Sequence, residues 1–192
     1  CIEDLAVMRA MPQMRVADTG DNADLRAVMH AAMEVEGPVY FRVTRMTLPR
    51  LFDEGHRFEW GKGVLMREGE DVTLFGTGMM TGFCLEAADR LAEEGVRAEV
   101  VHLASIKPID RDLIAASVGK TGCAVTAENA SVVGGFGAAV TEVLAETCPA
   151  PVAKIGVQDR WVSSGGIDVL LAHHRMRPAD IAEAARGVIE RS

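Results

Sequence analysis

The sequence predicts an α/β fold, a mostly parallel sheet with helices on both faces, preceded by the tail of another α/β unit. Three observations predict it. Strand-length apolar runs alternate with helix-period apolar patterns along most of the 192 residues, and parallel strands are what such crossover connections join. The rhythm breaks once, from Met46 to Gly69, where Pro49, Gly55, Gly61, Gly63 and Gly69 interrupt every periodic pattern. The chain also opens at Cys1 directly into an amphipathic run, so its first unit lacks the elements that would cover its apolar face. It is therefore expected to be the C-terminal piece of a longer chain.

Each element follows from local pattern. Residues 2–11 carry a helical stripe that Pro12 ends by restricting its predecessor and lacking an N–H. Met14 to Ala17 is a short strand. Asp21 has the chemistry of a helix N-cap, and Leu25, Val28, Met29, Ala32 and Met33 supply a core face up to Gly37. Val39 to Thr44 is a strand with Arg45 at its carboxyl end. After the linker come a strand at Val72 to Gly76, a helix from Thr81 to Glu94 and a strand at Glu99 to Leu103. The series continues with a helix from Asp110, a strand at Cys123 to Thr126, a helix on Phe136, Val140, Val143 and Leu144, a strand at Val152 to Ile155, and a final helix on Ile181, Ala184, Ala185 and Val188. The boundaries expected are 1–45 for the tail unit, 46–69 for the linker and 70–192 for a complete α/β domain.

Composition narrows the function. With 20 Lys and Arg against 28 Asp and Glu, the net charge is -8, and no basic stretch offers a footprint for nucleic acid or an anionic membrane. No apolar run approaches the ~18 residues of a membrane span. The four cysteines form no C-x-x-C pair, so neither a disulfide framework nor a zinc site is indicated and a reducing, cytoplasmic compartment is expected. Cys1 suits an acylated lipoprotein start, but the polar tether that would follow is missing.

Few side chains propose chemistry by themselves. The turns at Gly76-Thr77-Gly78 and Gly134-Gly135-Phe136-Gly137 are of the kind that cradles phosphate, but both fail the dinucleotide fingerprint, and close helix–sheet packing explains them. Glu128 and Asn129 end a strand, where capping the following turn is favoured over a site. His173 and His174 read as a solvated helix end, His30 as packing and His102 as a satisfied core side chain. Arg42 and Arg45 remain. A guanidinium at a strand's carboxyl end offers a planar fork to a phosphate or carboxylate; an ion pair is favoured for Arg42, and for Arg45 a ligand and an ion pair stand even. No nucleophile–base pair, carboxylate dyad or metal cluster can be assembled.

The order of motifs nevertheless resembles the C-terminal half of transketolase. It is carried by Ile2-Glu3-Asp4-Leu5-Ala6 through Pro12, by Gly37-Pro38-Val39-Tyr40-Phe41-Arg42, and by Ser105-Ile106-Lys107-Pro108-Ile109-Asp110. Gly61-Lys62-Gly63, Thr126-Ala127-Glu128-Asn129, Gly134 to Val140, Gly156-Val157-Gln158-Asp159 and Ser164-Gly165 agree as well. Thr19 and Gly20 stand where the family usually has proline and alanine, and Ala130 where many transketolases have histidine and deoxyxylulose-phosphate synthases often have alanine.

The resemblance implies that residues 1–45 end a pyrimidine-binding domain and that 70–192 form the family's C-terminal domain, which packs and dimerises. It implies thiamine diphosphate and Mg²⁺ in the complete enzyme, with none expected to bind this chain alone. It further implies transfer of a two-carbon ketol unit between sugar phosphates, a diphosphate-binding domain or subunit as partner, a homo-oligomer, and Arg45 as the grip on the sugar phosphate. A deoxyxylulose-phosphate synthase, the β chain of a 2-oxo acid dehydrogenase and a non-catalytic dimerisation domain are the alternatives.

Overall fold

The computed structural model describes residues 1–192. In chain order the elements are α1 (Asp4–Ala10), β1 (Arg15–Asp18), α2 (Asn22–Met33), β2 (Val39–Arg42), β3 (Val64–Arg67), β4 (Val72–Gly76), α3 (Met80–Glu93), β5 (Ala98–His102), β6 (Ser105–Lys107), α4 (Arg111–Thr121), β7 (Ala124–Ser131), α5 (Phe136–Thr147), β8 (Val152–Val157), α6 (Ile167–His173) and α7 (Pro178–Ile189). They build two sheets. The larger runs β3-β5-β4-β7-β8, with β5, β4, β7 and β8 parallel and β3 an antiparallel edge on β5. β3 thus lies inside the stretch 46–69. The smaller runs β2-β1-β6, its first pair parallel and its second antiparallel.

Every residue of β4 and β5 is buried, because helices cover both faces of the larger sheet and successive side chains enter opposite layers. Val72 and Leu74 join Leu91, Ile181 and Val188 on the α3–α7 side. Phe75 and Val101 join Ile114, Phe136 and Val140 on the α4–α5 side, and Leu5 of α1 and Val16 of β1 belong to that same core. The smaller sheet and α1 are therefore packed onto the larger sheet through this apolar layer. Backbone contact adds to this, as the Ser131 N–H donates to the Ile2 carbonyl at 2.8 Å.

Local chemistry sets the ends. Asp21 caps α2, accepting from the N–H groups of Ala23 and Asp24. The residue before Pro12, Met11, takes an extended conformation and stops α1.

β6 and α6 are not among the expected elements, since elements of three and seven residues carry no usable pattern. Four expectations are corrected. Met29 and Met33 are 49% and 79% exposed, so the core side of α2 rests on Val28 rather than on them, and His30 is exposed rather than packed. His174 is buried, not solvated. The second strand stops at Arg42 instead of Thr44, because the Thr19 hydroxyl takes the Arg42 carbonyl at 3.2 Å where a further ladder bond would start.

Candidate functional site

Open parallel sheets bind ligands at the carboxyl ends of their strands, where the strand order reverses. Here that point lies between β4 and β7, and the smaller sheet fills it. The Gly78 N–H donates to the Asp18 carbonyl at 3.2 Å, and the Asp18 carboxylate lies so close that a Cβ on Gly78, whose φ is +54°, would come within 2.5 Å of it. Arg42 completes the plug. Its Nη1 donates to Asn129 Oδ1 at 2.8 Å and reaches Asp18 at 3.3 Å, while Nε pairs with Asp4 at 2.9 Å. The Tyr40 hydroxyl donates to the same Asp4 at 2.6 Å.

Electrostatics follow from this burial. The Arg42 side chain is 14% exposed; burial opposes its charge, but the Asp18 and Asp4 carboxylates outweigh burial and hold it more firmly protonated than usual. Burial pushes the Asp18 carboxyl up to about 6 against the pull of Arg42, and burial together with the Asp4 hydrogen bond pushes the Tyr40 phenol up to about 12. Arg42 is thus ion-paired to Asp4 of α1 and Asp18 of β1, and Asn129 joins that cluster to the larger sheet rather than capping a turn.

The other glycine turn is filled in the same way. Glu128, fully buried, accepts from the N–H groups of Phe136 and Gly137 at 2.7 and 2.8 Å at the start of α5, and a side chain on Gly135 would run into its carboxylate. Burial pushes this carboxyl up to about 7, against the two N–H donors that favour its charge. Close approach of the chain's own carboxylates accounts for Gly78 and Gly135, and the expected close helix–sheet packing accounts for Gly76, where a Cβ would meet the Thr81 backbone at 2.7 Å.

Arg45 stands apart. It lies three residues past the end of β2, in an exposed bend, and its guanidinium makes no ion pair or hydrogen bond within the chain. Two arginines in one short stretch therefore have unlike surroundings, one enclosed by carboxylates and one open.

A polar chain that sequence reasoning missed lies nearby in the fold. Asp24, fully buried, accepts from the Gly20 N–H at 2.8 Å and lies 3.1 Å from His102 Nε2 and 3.2 Å from His56 Nε2. Thr81 Oγ1 is 2.6 Å from His102 Nδ1. The Asp24 carboxyl is held well below the usual range: a burial penalty that alone would raise it is overcome by the hydrogen bonds of His102 and His56, the nearby His102 and the Gly20 N–H. His102 is, as expected, a satisfied core residue. The other members are scattered along the sequence, and no local signal joins them.

A diphosphate and its metal need free backbone N–H groups and clustered carboxylates. The helix start and turn that resemble such a cradle are taken by Glu128 and Asp18, and no three His, Cys, Asp or Glu side chains are placed to hold a metal. The residues present do not fit that group.

A family model described as "Transketolase, C-terminal domain" matches residues 61–181. The chain belongs to the transketolase family. It is 42% identical over 190 residues to a 6-deoxy-6-sulfo-D-fructose transketolase subunit of Clostridium sp. (strain MSTE9), covering 99% of this chain and 59% of that protein. A putative transketolase C-terminal section of Methanocaldococcus jannaschii is 37% identical, over 94% of this chain and 57% of that protein. A 1-deoxy-D-xylulose-5-phosphate synthase of Heliobacterium modesticaldum is 36% identical, over 95% of this chain and 29% of that protein. Among solved structures, a split-gene transketolase described as an inactive β4 tetramer superposes with a TM-score of 0.97 at 45% identity, covering 99% of this chain and 62% of that one. This transketolase-family chain thus spans little more than half the length of its separate-subunit relatives. No helix in it is long and apolar enough to cross a membrane.

Proposed function

We propose that this chain is part of the smaller subunit of a two-chain transketolase, which moves a two-carbon ketol unit between sugars that carry a terminal anion. In this reading residues 1–45 end the pyrimidine-binding domain and 70–192 are the C-terminal domain. Thiamine diphosphate and Mg²⁺ are held by residues outside this chain, and a diphosphate-binding subunit and further copies of the chain complete the assembly. The cofactor, when bound, supplies the carbanion chemistry of the transfer.

The observation that carries the proposal is the open guanidinium of Arg45, on the residue that matches the family's phosphate grip. An exposed fork with no internal partner is free to take a terminal oxyanion in two parallel hydrogen bonds. Holding the remote end converts binding energy into orientation of the reacting carbonyl. Arg42, saturated by Asp4, Asp18 and Asn129, fixes the base of the loop from which Arg45 projects.

The anion itself is open to choice by chemistry. Phosphate is the family's usual terminal group, and the Clostridium relative's name specifies a sulfonated fructose, which presents the same three-oxygen face. Turnover of 6-phosphorylated and 6-sulfonated ketoses by the complete enzyme, side by side, tests the class. Four of the matched relatives are 1-deoxy-D-xylulose-5-phosphate synthases, which supports a second reading; consumption of pyruvate by the assembled enzyme would replace ketol transfer with that reaction.

A further inference from the structure

A polar cavity of about 360 Å³ opens where α2, the segment 56–64 and the carboxyl end of β5 meet. None of residues 43–50 lines it, so it is separate from the stretch that carries Arg45. Cavities of this size at the junction of structural units are where small molecules bind.

Its central feature is His56. The ring is 10% exposed and fixed from two sides: Phe52 stacks on it with centroids 4.0 Å apart and planes 26° from parallel, and Nε2 is held on Asp24 at 3.2 Å. Nδ1 has no partner. An imidazole whose one nitrogen is anchored by a carboxylate has its other nitrogen aimed and available. Asp24 is spoken for by His56, His102 and the Gly20 N–H, so its charge is satisfied behind the ring.

The remaining charged wall is basic on balance. Arg57 and Lys62 line the cavity against one carboxylate, Glu59, and none of the three forms an ion pair within the chain. Arg57 and Lys62 carry the N–H donors that an anion in this space would meet.

We infer that this cavity is a binding site for a small oxyanion, with Arg57 and Lys62 as its donors and the anchored His56 ring as its wall. Phosphoryl and carboxylate groups share that chemistry, and inorganic phosphate and malonate serve as the two probes. Isothermal titration is done on the complete protein in an Arg45→Ala background, so that the proposed substrate contact contributes nothing and the outcome does not depend on it. The expected result is saturable binding of at least one probe that weakens about tenfold or more when Arg57→Gln and Lys62→Gln are added. Both side chains are exposed, so the fold is kept and an unchanged melting temperature verifies it. Preference for phosphate names a phosphoryl ligand, and preference for malonate a carboxylate ligand. Absence of saturable binding in the Arg45→Ala background, or binding that the added pair leaves unchanged, overturns the site.

Discussion

The Arg42 guanidinium donates to the side-chain oxygen of Asn129 at 2.8 Å, joining the last residue of β2 to the carboxyl half of β7. With Asp18 also on that Nη1 and Asp4 on Nε, the one cation ties α1, β1 and β2 to the strand-order reversal of the larger sheet. A crevice that open α/β sheets use for ligands is here used to hold the smaller sheet on the larger.

Loss of that cation leaves two largely buried carboxylates facing each other. Arg42→Ala is expected to cost about 3–5 kcal/mol in urea unfolding. Arg42→Lys recovers only part, since an ammonium cannot hold Asp4, Asp18 and Asn129 in one plane.

Gly78 closes over Asp18 with positive φ. Gly78→Ala combines backbone strain with contact on the carboxylate and is expected to destabilise by about 1–3 kcal/mol. The same change at Gly55, which has no positive φ and no atom within 4 Å of an added Cβ, serves as the control and is expected to have little effect.

Removing Asp24 strands three donors at once. Asp24→Ala is expected to cost about 2–4 kcal/mol, because His102 and the Gly20 N–H are buried without another acceptor. Asp24→Asn recovers part of this through its single amide oxygen.

The raised carboxyls of Asp18 and Glu128 make stability depend on pH. Their folded values, about 6 and about 7, lie above the ordinary 3.8 and 4.5, so the native state binds more protons than the unfolded state in between. This contribution is fully present below about pH 4 and is lost as pH rises through 6 and 7. Urea midpoints are expected to be higher at pH 5.5 than at pH 8. Glu128→Gln, which cannot titrate, is expected to flatten that slope while lowering stability at both pH values.

The alternation of strands and helices was legible because βαβ units repeat a strong period, and Asp21 announced its cap. β6 was not legible, since three residues before Pro108 pair with β1 only through tertiary contact. Nor could the sequence tell which stripe of α2 faces inward, because Met29 and Met33 are as apolar as Val28. Arg45 could be picked out by its place after a strand, whereas the joining of Asp24, His56 and His102 depends on three segments meeting only in the folded chain.

The most direct test of the account is steady-state ketol transfer by the assembled two-chain holoenzyme carrying Arg45→Ala. The account predicts that kcat/KM for a ketose with a terminal phosphate or sulfonate falls about 100-fold, mostly through KM, while an acceptor without an anionic end reacts as it does with the unaltered enzyme. Equal losses for both substrates, or no loss for either, would contradict it.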